Sequence, residues 1–158
     1  MAGLNPNESE KERLDRNLIE LLNELRVALP GVQVLFAFLL TVPFTQRFAS
    51  LTATQEKVYY ATLLCTTASA ILLIAPSAHH RINFRQQDKY YIVFLANKLT
   101  IVGLVFLALA MTGVVFLITD VLYGSTATAI AAGSTLLAFA VLWYGIPIAR
   151  RMGRAGSR

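Results

Sequence analysis

Charged residues are scarce in this chain. They make up 15% of its 158 residues, whereas hydrophobic residues make up 56%. A soluble domain of this size needs far more polar surface, so the composition predicts one small integral membrane domain. The first 26 residues are highly charged and lack an apolar segment followed by a small-residue cleavage site. A cleavable signal peptide is therefore not expected.

The chain also has very little cysteine and lacks the common catalytic motifs. Cys65 is the single cysteine, so no intramolecular disulfide can form, and we interpret it as a packing residue. The sequence has no GxSxG, HExxH, CxxC or P-loop motif. His79 and His80 are adjacent and have no third ligand nearby, which disfavours a metal site. We expect no catalytic residues, no metal and no cofactor.

Four long apolar runs dominate what is present, at about 27–48, 58–78, 92–120 and 126–149. About 20 helical residues cross the ~30 Å hydrocarbon core of a bilayer. We therefore predict an all-α fold, a membrane bundle of four transmembrane helices. No Asp or Glu lies in the middle of any run. A transporter that exchanges protons for cations usually needs such a carboxylate, which counts against an antiporter acting alone.

The basic residues are divided unequally between the two sides of this predicted bundle. Twelve of the 14 Lys and Arg fall in the N-terminal segment, the central loop with its helix edges, and the basic tail at 150–158. Only Arg47 and Lys57 fall on the other side. This asymmetry predicts a multi-pass protein with both termini in the cytoplasm. Basic residues beside the spans are expected to contact anionic lipid headgroups, and the net charge of +5 does not call for nucleic acid.

Residues 8–29 follow a flexible lead at 1–7 and are predicted to form an amphipathic cytoplasmic helix. Its apolar stripe consists of six leucines: Leu14, Leu18, Leu21, Leu22, Leu25 and Leu29. The helix has more acidic than basic residues, which favours docking on the bundle or on a neighbouring subunit, with Glu20 and Glu24 as its partner-helix face. A position on the membrane surface stays open. Pro30 and Gly31 predict a break before the membrane domain at 30–149.

Several polar residues lie near the predicted cytoplasmic ends of the spans. We group them as a possible cytoplasmic-entrance polar cluster: Arg26, Gln33, His79, His80, Arg81, Asn97 and Lys98. Lys98 is close enough to the interface to snorkel. Asp120 is expected to be a solvated boundary residue at the opposite side.

Two patterns predict close helix packing inside the bundle. The second span carries a seam of small hydroxylated residues, Thr62, Thr66 and Ser69. The fourth span has two small-xxx-small pairs, Ala129 with Gly133 and Ala127 with Ala131. Small and hydroxylated residues allow helices in lipid to approach closely and to form hydrogen bonds with one another.

Two segments are distinctive as a pair: NELRVALPGVQVLFAFLLTVPF at 23–44 and APSAHHRINFRQQDK at 75–89. There the chain resembles an uncharacterised family of small four-span bacterial membrane proteins, a domain of unknown function common in actinobacteria. The resemblance covers about 14–149. It implies a location in the bacterial inner (plasma) membrane, and members are sometimes labelled sodium:proton antiporters. The positions that it marks are Asn23, Glu24, Arg26, Pro30, Gly31, Gln33, Pro76, His79, His80 and Arg81.

These features favour a protein that is not an enzyme and has a structural or interaction role. It would associate with itself or with another membrane protein. The alternative is an ion or proton transporter or channel subunit, with a pore formed between protomers and lined by Gln33 or by the hydroxyl seam. A lipid-binding accessory role is a third, weaker reading.

Overall fold

The computed structural model describes residues 10–82 and 89–155, and all regular secondary structure within them is helical. The elements are α1 (Glu10–Thr41), two 3₁₀ turns (Val42–Phe44 and Gln46–Ser50), α2 (Ala53–Ile82), α3 (Lys89–Tyr123), α4 (Ser125–Phe139), a π-helical turn (Ala140–Gly145) and α5 (Ile146–Ala155).

Four helical stretches are long and apolar enough to cross a membrane. They are Glu12–Phe44, Ala53–His79, Val93–Tyr123 and Ser125–Arg150. The predicted all-α membrane fold with four such helices and an N-terminal amphipathic helix is confirmed. The flexible lead predicted at 1–7 lies outside the described residues, as do residues 83–88 of the central loop.

The break predicted at Pro30–Gly31 is not present, because α1 continues through both residues from Glu10 to Thr41. Proline removes one backbone hydrogen bond and disfavours helix. The buried face of α1 nevertheless repeats every seven residues on both sides of Pro30. It consists of Leu18, Leu25, Val32 and Leu39. Packing of this continuous seam holds the segments before and after Pro30 in one helix.

The chain divides into two compact units, which are described separately. The first comprises residues 1–44 and 66–106, so it contains α1 with the second part of α2 and the first part of α3. Its interior includes Leu73 and Ala96 in addition to the α1 seam. Gly103 of α3 packs against Leu73, and a Cβ at Gly103 would lie 2.8 Å from the Leu73 Cδ2 atom.

The second unit comprises residues 45–65 and 107–158. Here Gly113 of α3 packs directly on Thr62 of α2, and a Cβ at Gly113 would overlap the Thr62 hydroxyl oxygen. The Thr62 hydroxyl donates a hydrogen bond of 2.7 Å to the Val58 carbonyl oxygen in its own helix. Thr62 is 3% exposed, so it has little room to move away. The contact requires glycine at position 113 and is the closest helix approach in this unit among the glycines described.

Two backbone features shape the end of the second unit. Gly124 joins α3 to α4 with a φ of 83°, a left-handed conformation that favours glycine. At the other end of α4, the N–H of Ile146 donates to the Val141 carbonyl five residues earlier, which closes a π turn. Pro147 follows at once. Because proline lacks an N–H and crowds the preceding turn, a wider turn is the expected local adjustment.

The tight packing predicted for Ala129 and Gly133 does not occur within the chain. Both residues are exposed, and a Cβ at Gly133 would meet no atom within 4 Å. The close approaches are instead made by Gly103 and Gly113 of α3. The second predicted pair, Ala127 and Ala131, is half-buried. The face formed by Ala129 and Gly133 points away from the rest of the chain.

We predict that Gly113→Ala lowers the stability of the protein by about 1–3 kcal/mol, the usual cost of overpacking a helix contact. The added methyl group must displace the buried Thr62 hydroxyl. Gly133→Ala is the matched control and should leave stability within about 1 kcal/mol of wild type, since the site is open and alanine favours helix. Thermal unfolding in a mild detergent, followed by circular dichroism, measures both. Equal effects of the two substitutions would contradict the assigned contact.

Candidate functional site

A cleft of 520 Å³ lies within the first unit, between the start of α1 and the start of α3. Its lining residues are Arg13, Leu14, Asn17, Glu20, Leu21, Glu24, Val93, Phe94 and Asn97. Volumes of about 300–1,000 Å³ are typical of small-molecule sites, which combine apolar surface with a few polar groups. The lining has this mixed character.

The wall from α1 is polar along one helix face. Arg13, Asn17, Glu20 and Glu24 follow each other at steps of four, three and four residues, which places them on one side of the helix. Half-buried Leu14 and Leu21 lie between them and form the apolar part of the wall. The wall therefore presents two carboxylates and one guanidinium above an apolar surface.

The two glutamates have different surroundings. Glu20 forms a long ion pair with Arg16, in which Arg16 Nε lies 3.9 Å from Glu20 Oε1. The Glu20 side chain is 59% exposed and the Arg16 side chain is 36% exposed. Such an exposed pair contributes little stability. Among the residues that the structure describes, no group donates a hydrogen bond to Glu24 or forms an ion pair with it. From the sequence alone, these glutamates could also pair with Arg81, Arg85 or Lys98. Among the described residues neither glutamate forms an ion pair with Arg81 or Lys98, and Arg85 lies outside the described part of the chain.

The wall from α3 adds an aromatic ring and an amide. Phe94 is 53% exposed at the cleft, and Asn97 is exposed one turn further along α3. The ammonium group of Lys98 lies 5.3 Å from the centroid of the Phe94 ring, within the range of a cation–π interaction. The Lys98 side chain therefore extends back toward the start of α3, the direction expected for snorkelling.

The structure brings part of the predicted residues together. Glu20 and Glu24 of the partner-helix face share the cleft with Asn97 of the entrance cluster, and Lys98 lies beside it. The other entrance residues with described side chains are exposed: Arg26, Gln33, His79 and Arg81. No hydrogen bond or ion pair joins these four to each other. Their convergence stays a prediction.

The histidines lie on a helix rather than on a loop. α2 continues to Ile82, so His79, His80 and Arg81 occupy its last turn. The side chain of His80 lies outside the described part of the chain. Within residues 10–82 and 89–155, His, Cys, Asp and Glu side chains do not form a group of three that could hold a metal.

The hydroxyl seam on α2 is buried. Thr62, Thr66 and Ser69 are each at most 3% exposed, in agreement with a packing role. Ser69 is buried in the first unit, and its hydroxyl has no described hydrogen-bond partner. Thr100 of α3 is the second buried hydroxyl in that unit without one.

The sequence analysis missed a polar network in the second unit. The Gln55 amide nitrogen donates a hydrogen bond of 2.8 Å to Asp120 Oδ2, and the Thr128 hydroxyl lies 3.4 Å from Asp120 Oδ1. Gln55 is 8% exposed and Thr128 is 2% exposed. Asp120 is half-buried, not the freely solvated boundary residue that we expected.

Two members of this network, Gln55 and Thr128, also form hydrogen bonds at the starts of α2 and α4. Thr52 and Gln55 form a reciprocal capping box at the start of α2, with bonds of 2.9 Å from the Thr52 N–H to Gln55 Oε1 and 3.3 Å from the Gln55 N–H to Thr52 Oγ1. Thr128 donates its hydroxyl to the Gly124 carbonyl at 2.7 Å. The T-x-x-Q pattern was a readable signal for the cap. Nothing local indicated that Gln55 reaches Asp120, 65 residues later in the chain.

The comparison with protein families gives one match, to a family of unknown function (DUF6328), over residues 7–147. The match covers most of the 158-residue chain. The chain belongs to the DUF6328 family. This agrees with the resemblance to an uncharacterised membrane-protein family. No curated protein and no solved structure matches this DUF6328 chain.

We predict that Gln55→Ala lowers the free energy of unfolding of this DUF6328 protein by about 1–3 kcal/mol. The substitution removes the side-chain half of the capping box, in which Gln55 Oε1 accepts from the Thr52 N–H, and leaves a half-buried carboxylate oxygen without its donor. Gln46→Ala, at an exposed position in the preceding turn, is the matched control and should stay within about 0.5 kcal/mol of wild type. Thermal unfolding in detergent measures both, and equal midpoints for Gln55→Ala and wild type would refute the role of the network.

Proposed function

We propose that this protein is a non-enzymatic structural or interaction protein of the membrane that associates with a second copy of itself. The supporting observation is the state of α4. None of the residues in the most apolar 18-residue window of the stretch Ser125–Arg150 is buried inside the chain. This helix is therefore held in the second unit mainly through its start, where Thr128 is buried.

The outward face of α4 suits a helix partner better than it suits lipid alone. Ala129 and Gly133 are exposed one turn apart, and the space beside Gly133 is open. Exposed Ile130 and Leu137 flank this small-residue face. Lipid tails are as apolar as leucine, so association of helices in a membrane depends on close backbone approach, which small residues permit. The same face on a second copy is self-complementary, as a two-fold dimer requires.

A transporter or channel subunit with a pore between protomers is the alternative, and it has less support. A pore between copies must be lined by residues on the outside of each chain. The hydroxyl seam is buried, so it would not face such a pore. Gln33 is exposed and is the remaining candidate from the sequence analysis. Flux of protons or common cations into proteoliposomes, above that into empty liposomes, would favour this alternative.

We propose a location in the bacterial plasma membrane with both termini in the cytoplasm. The support comes from the twelve-to-two distribution of basic residues and from four helices of membrane length. The contacts that we expect are with anionic headgroups on the basic side, with a second copy through α4, or with another membrane protein.

We predict that Gly133→Leu reduces self-association in lipid. The larger side chain should block close approach of two α4 helices while disturbing no contact within the chain. Gly31→Leu on α1 is the matched control, because Gly31 is also exposed and has no atom near its missing Cβ. Single-molecule photobleaching in liposomes at several protein-to-lipid ratios gives the oligomer fraction. We expect the dimer fraction of Gly133→Leu to be at least about threefold lower than that of wild type, roughly the effect of losing one modest contact. The dimer fraction of Gly31→Leu should match that of wild type.

Two results would overturn the self-association proposal. One is wild-type protein that stays monomeric at every ratio of protein to lipid. The other is a dimer fraction that responds equally to Gly133→Leu and Gly31→Leu. The helical content and melting temperature of each variant are measured alongside, so that misfolding is distinguished from loss of association.

The orientation can be tested with single cysteines, because Cys65 is the only native one. In a Cys65→Ser background, cysteines replace Ser9, Ser157 or Ser125 in turn. We predict that a membrane-impermeant maleimide labels the Ser125 position from outside intact spheroplasts. The two terminal positions should react only after lysis. Labelling of either terminal position in intact spheroplasts would contradict the proposed topology.

A further inference from the structure

A proline inside α2 leaves one backbone carbonyl without its usual donor. Pro76 lies within the helix Ala53–Ile82, and proline has no N–H. Each carbonyl of an α-helix accepts from the N–H four residues later, so the Leu72 carbonyl has no helical donor at position 76. This carbonyl points toward Pro76, which is less than 2% exposed. An acceptor enclosed in this way costs free energy unless another group bonds to it.

The Thr100 hydroxyl of α3 is a second polar group without a partner. It is buried, and no described residue forms a hydrogen bond with it. A threonine hydroxyl in a helix often donates to a carbonyl of the preceding turn, as the Thr112 hydroxyl does to the Ala108 carbonyl. Thr100 forms no such bond. Its hydroxyl therefore keeps its donor and its acceptor capacity inside the protein.

The packing of α2 on α3 places these two groups opposite each other within the first unit. A Cβ at Gly103 of α3 would lie 3.2 Å from the Leu72 Cβ of α2. The connection between the helices is short, residues 83–88, so the packed helices run antiparallel. Thr100 is one turn from Gly103 toward the start of α3, and Pro76 is one turn from Leu72 toward the end of α2. Both steps lead in the same direction from the Gly103–Leu72 contact.

The burial pattern shows that both residues lie on packed helix faces. On each helix the buried positions follow one another at steps of four and three residues, which marks a single face. These positions are Ser69, Leu73 and Pro76 on α2, and Ala96, Thr100 and Gly103 on α3. The Thr100 hydroxyl therefore faces the interior on the side where the Leu72 carbonyl lacks a donor.

The two groups suit a bridging water molecule. Among the described residues, no acceptor is within hydrogen-bond distance of the Thr100 hydroxyl, so the Leu72 carbonyl is too far away for a direct bond. Polar groups separated by such a gap are commonly joined by water, and freed carbonyls at membrane prolines are satisfied in this way. A buried water forms about two to four hydrogen bonds. Two oxygens are too few for a calcium or magnesium ion, which takes about six or more.

The pair lies near the polar ends of its helices, where water has access. Thr100 is two residues, about 3 Å along the axis, after exposed Lys98. Pro76 is three residues, about 4.5 Å, before exposed His79. We propose that one water molecule is bound here, where it donates to the Leu72 carbonyl, bonds to the Thr100 hydroxyl and ties α2 to α3 beside the proline. The proposal is independent of self-association through α4 and of the orientation in the membrane.

A double-mutant cycle tests the link between Thr100 and Pro76. Thr100→Val keeps the shape of the side chain but removes the hydroxyl, so the Leu72 carbonyl loses its bridging water. We expect the melting temperature in mild detergent to fall by about 2–4 °C. In a Pro76→Ala background the backbone N–H at position 76 donates to the Leu72 carbonyl directly. There Thr100→Val should not lower the melting temperature.

Ser69→Ala is the matched control for this cycle. Ser69 is also buried without a described hydrogen-bond partner, on the same face of α2 and about two turns before Pro76. Its effect on the melting temperature should be the same with and without Pro76→Ala. An equal loss of stability from Thr100→Val in both backgrounds would overturn the proposal.

Water-edited solid-state NMR of the ¹³C-labelled full-length protein in lipid bilayers tests for the water itself and does not require a proline variant. In wild type, polarisation from water should reach the Leu72 carbonyl and the Thr100 Cβ. Thr100→Val should abolish the transfer to the Leu72 carbonyl. The reference is Thr62, whose buried hydroxyl bonds to its own helix and should receive little polarisation. A wild-type Leu72 carbonyl that receives none would overturn the water site even if the double-mutant cycle showed coupling, because the bond to Thr100 would then be direct.

Discussion

The structure depends on one constraint, which is that polar groups inside a bilayer must be satisfied within the protein. Backbone groups meet it by forming long helices, and several hydroxyl side chains meet it by bonding to carbonyls of their own helix, although the buried Ser69 and Thr100 hydroxyls have no described partner. The Thr112 hydroxyl donates to the Ala108 carbonyl at 2.8 Å and the Thr135 hydroxyl to the Ala131 carbonyl at 2.8 Å. Because these hydroxyl groups bond within their own helix, the contacts between helices depend on how closely the helix surfaces fit together. That is why glycine on α3 matters more than any polar pair in the middle of the spans.

The same constraint moves the chemistry to the ends of the helices. Carboxylates and amides occur where headgroups and water can reach them, in the cleft of the first unit and in the Gln55–Asp120 network of the second. The two sites differ in what their charges can do. Asp120 accepts a 2.8 Å hydrogen bond from the Gln55 amide and lies 3.4 Å from the Thr128 hydroxyl, so its polar neighbours come from the chain itself. Glu24 is exposed and has no partner among the described residues.

The sequence was sufficient to predict those parts of the fold that depend on a periodic pattern of apolar residues. Run length predicted four spans, and the leucine stripe predicted the buried face of the first helix, with Leu18 and Leu25 inside. It failed where two local signals competed. Pro30 predicts a break by its chemistry, yet the seven-residue seam from Leu18 to Leu39 is continuous across it. A local breaker loses when packing on both of its sides favours one helix, because most helix stability in proteins comes from packing.

Contacts between distant segments were beyond prediction for a different reason. In a helix that is apolar all round, the sequence does not say which glycine faces the chain and which faces lipid. Gly113 and Gly133 are equivalent as sequence signals, but one is pressed against Thr62 and the other is open. The cleft is of the same kind, because its walls are about 70 residues apart in the sequence. Glu20 and Glu24 were identified on α1, and Asn97 and Lys98 on α3, as two separate groups. Only the fold shows that they lie around one space, because α1 and α3 come together there.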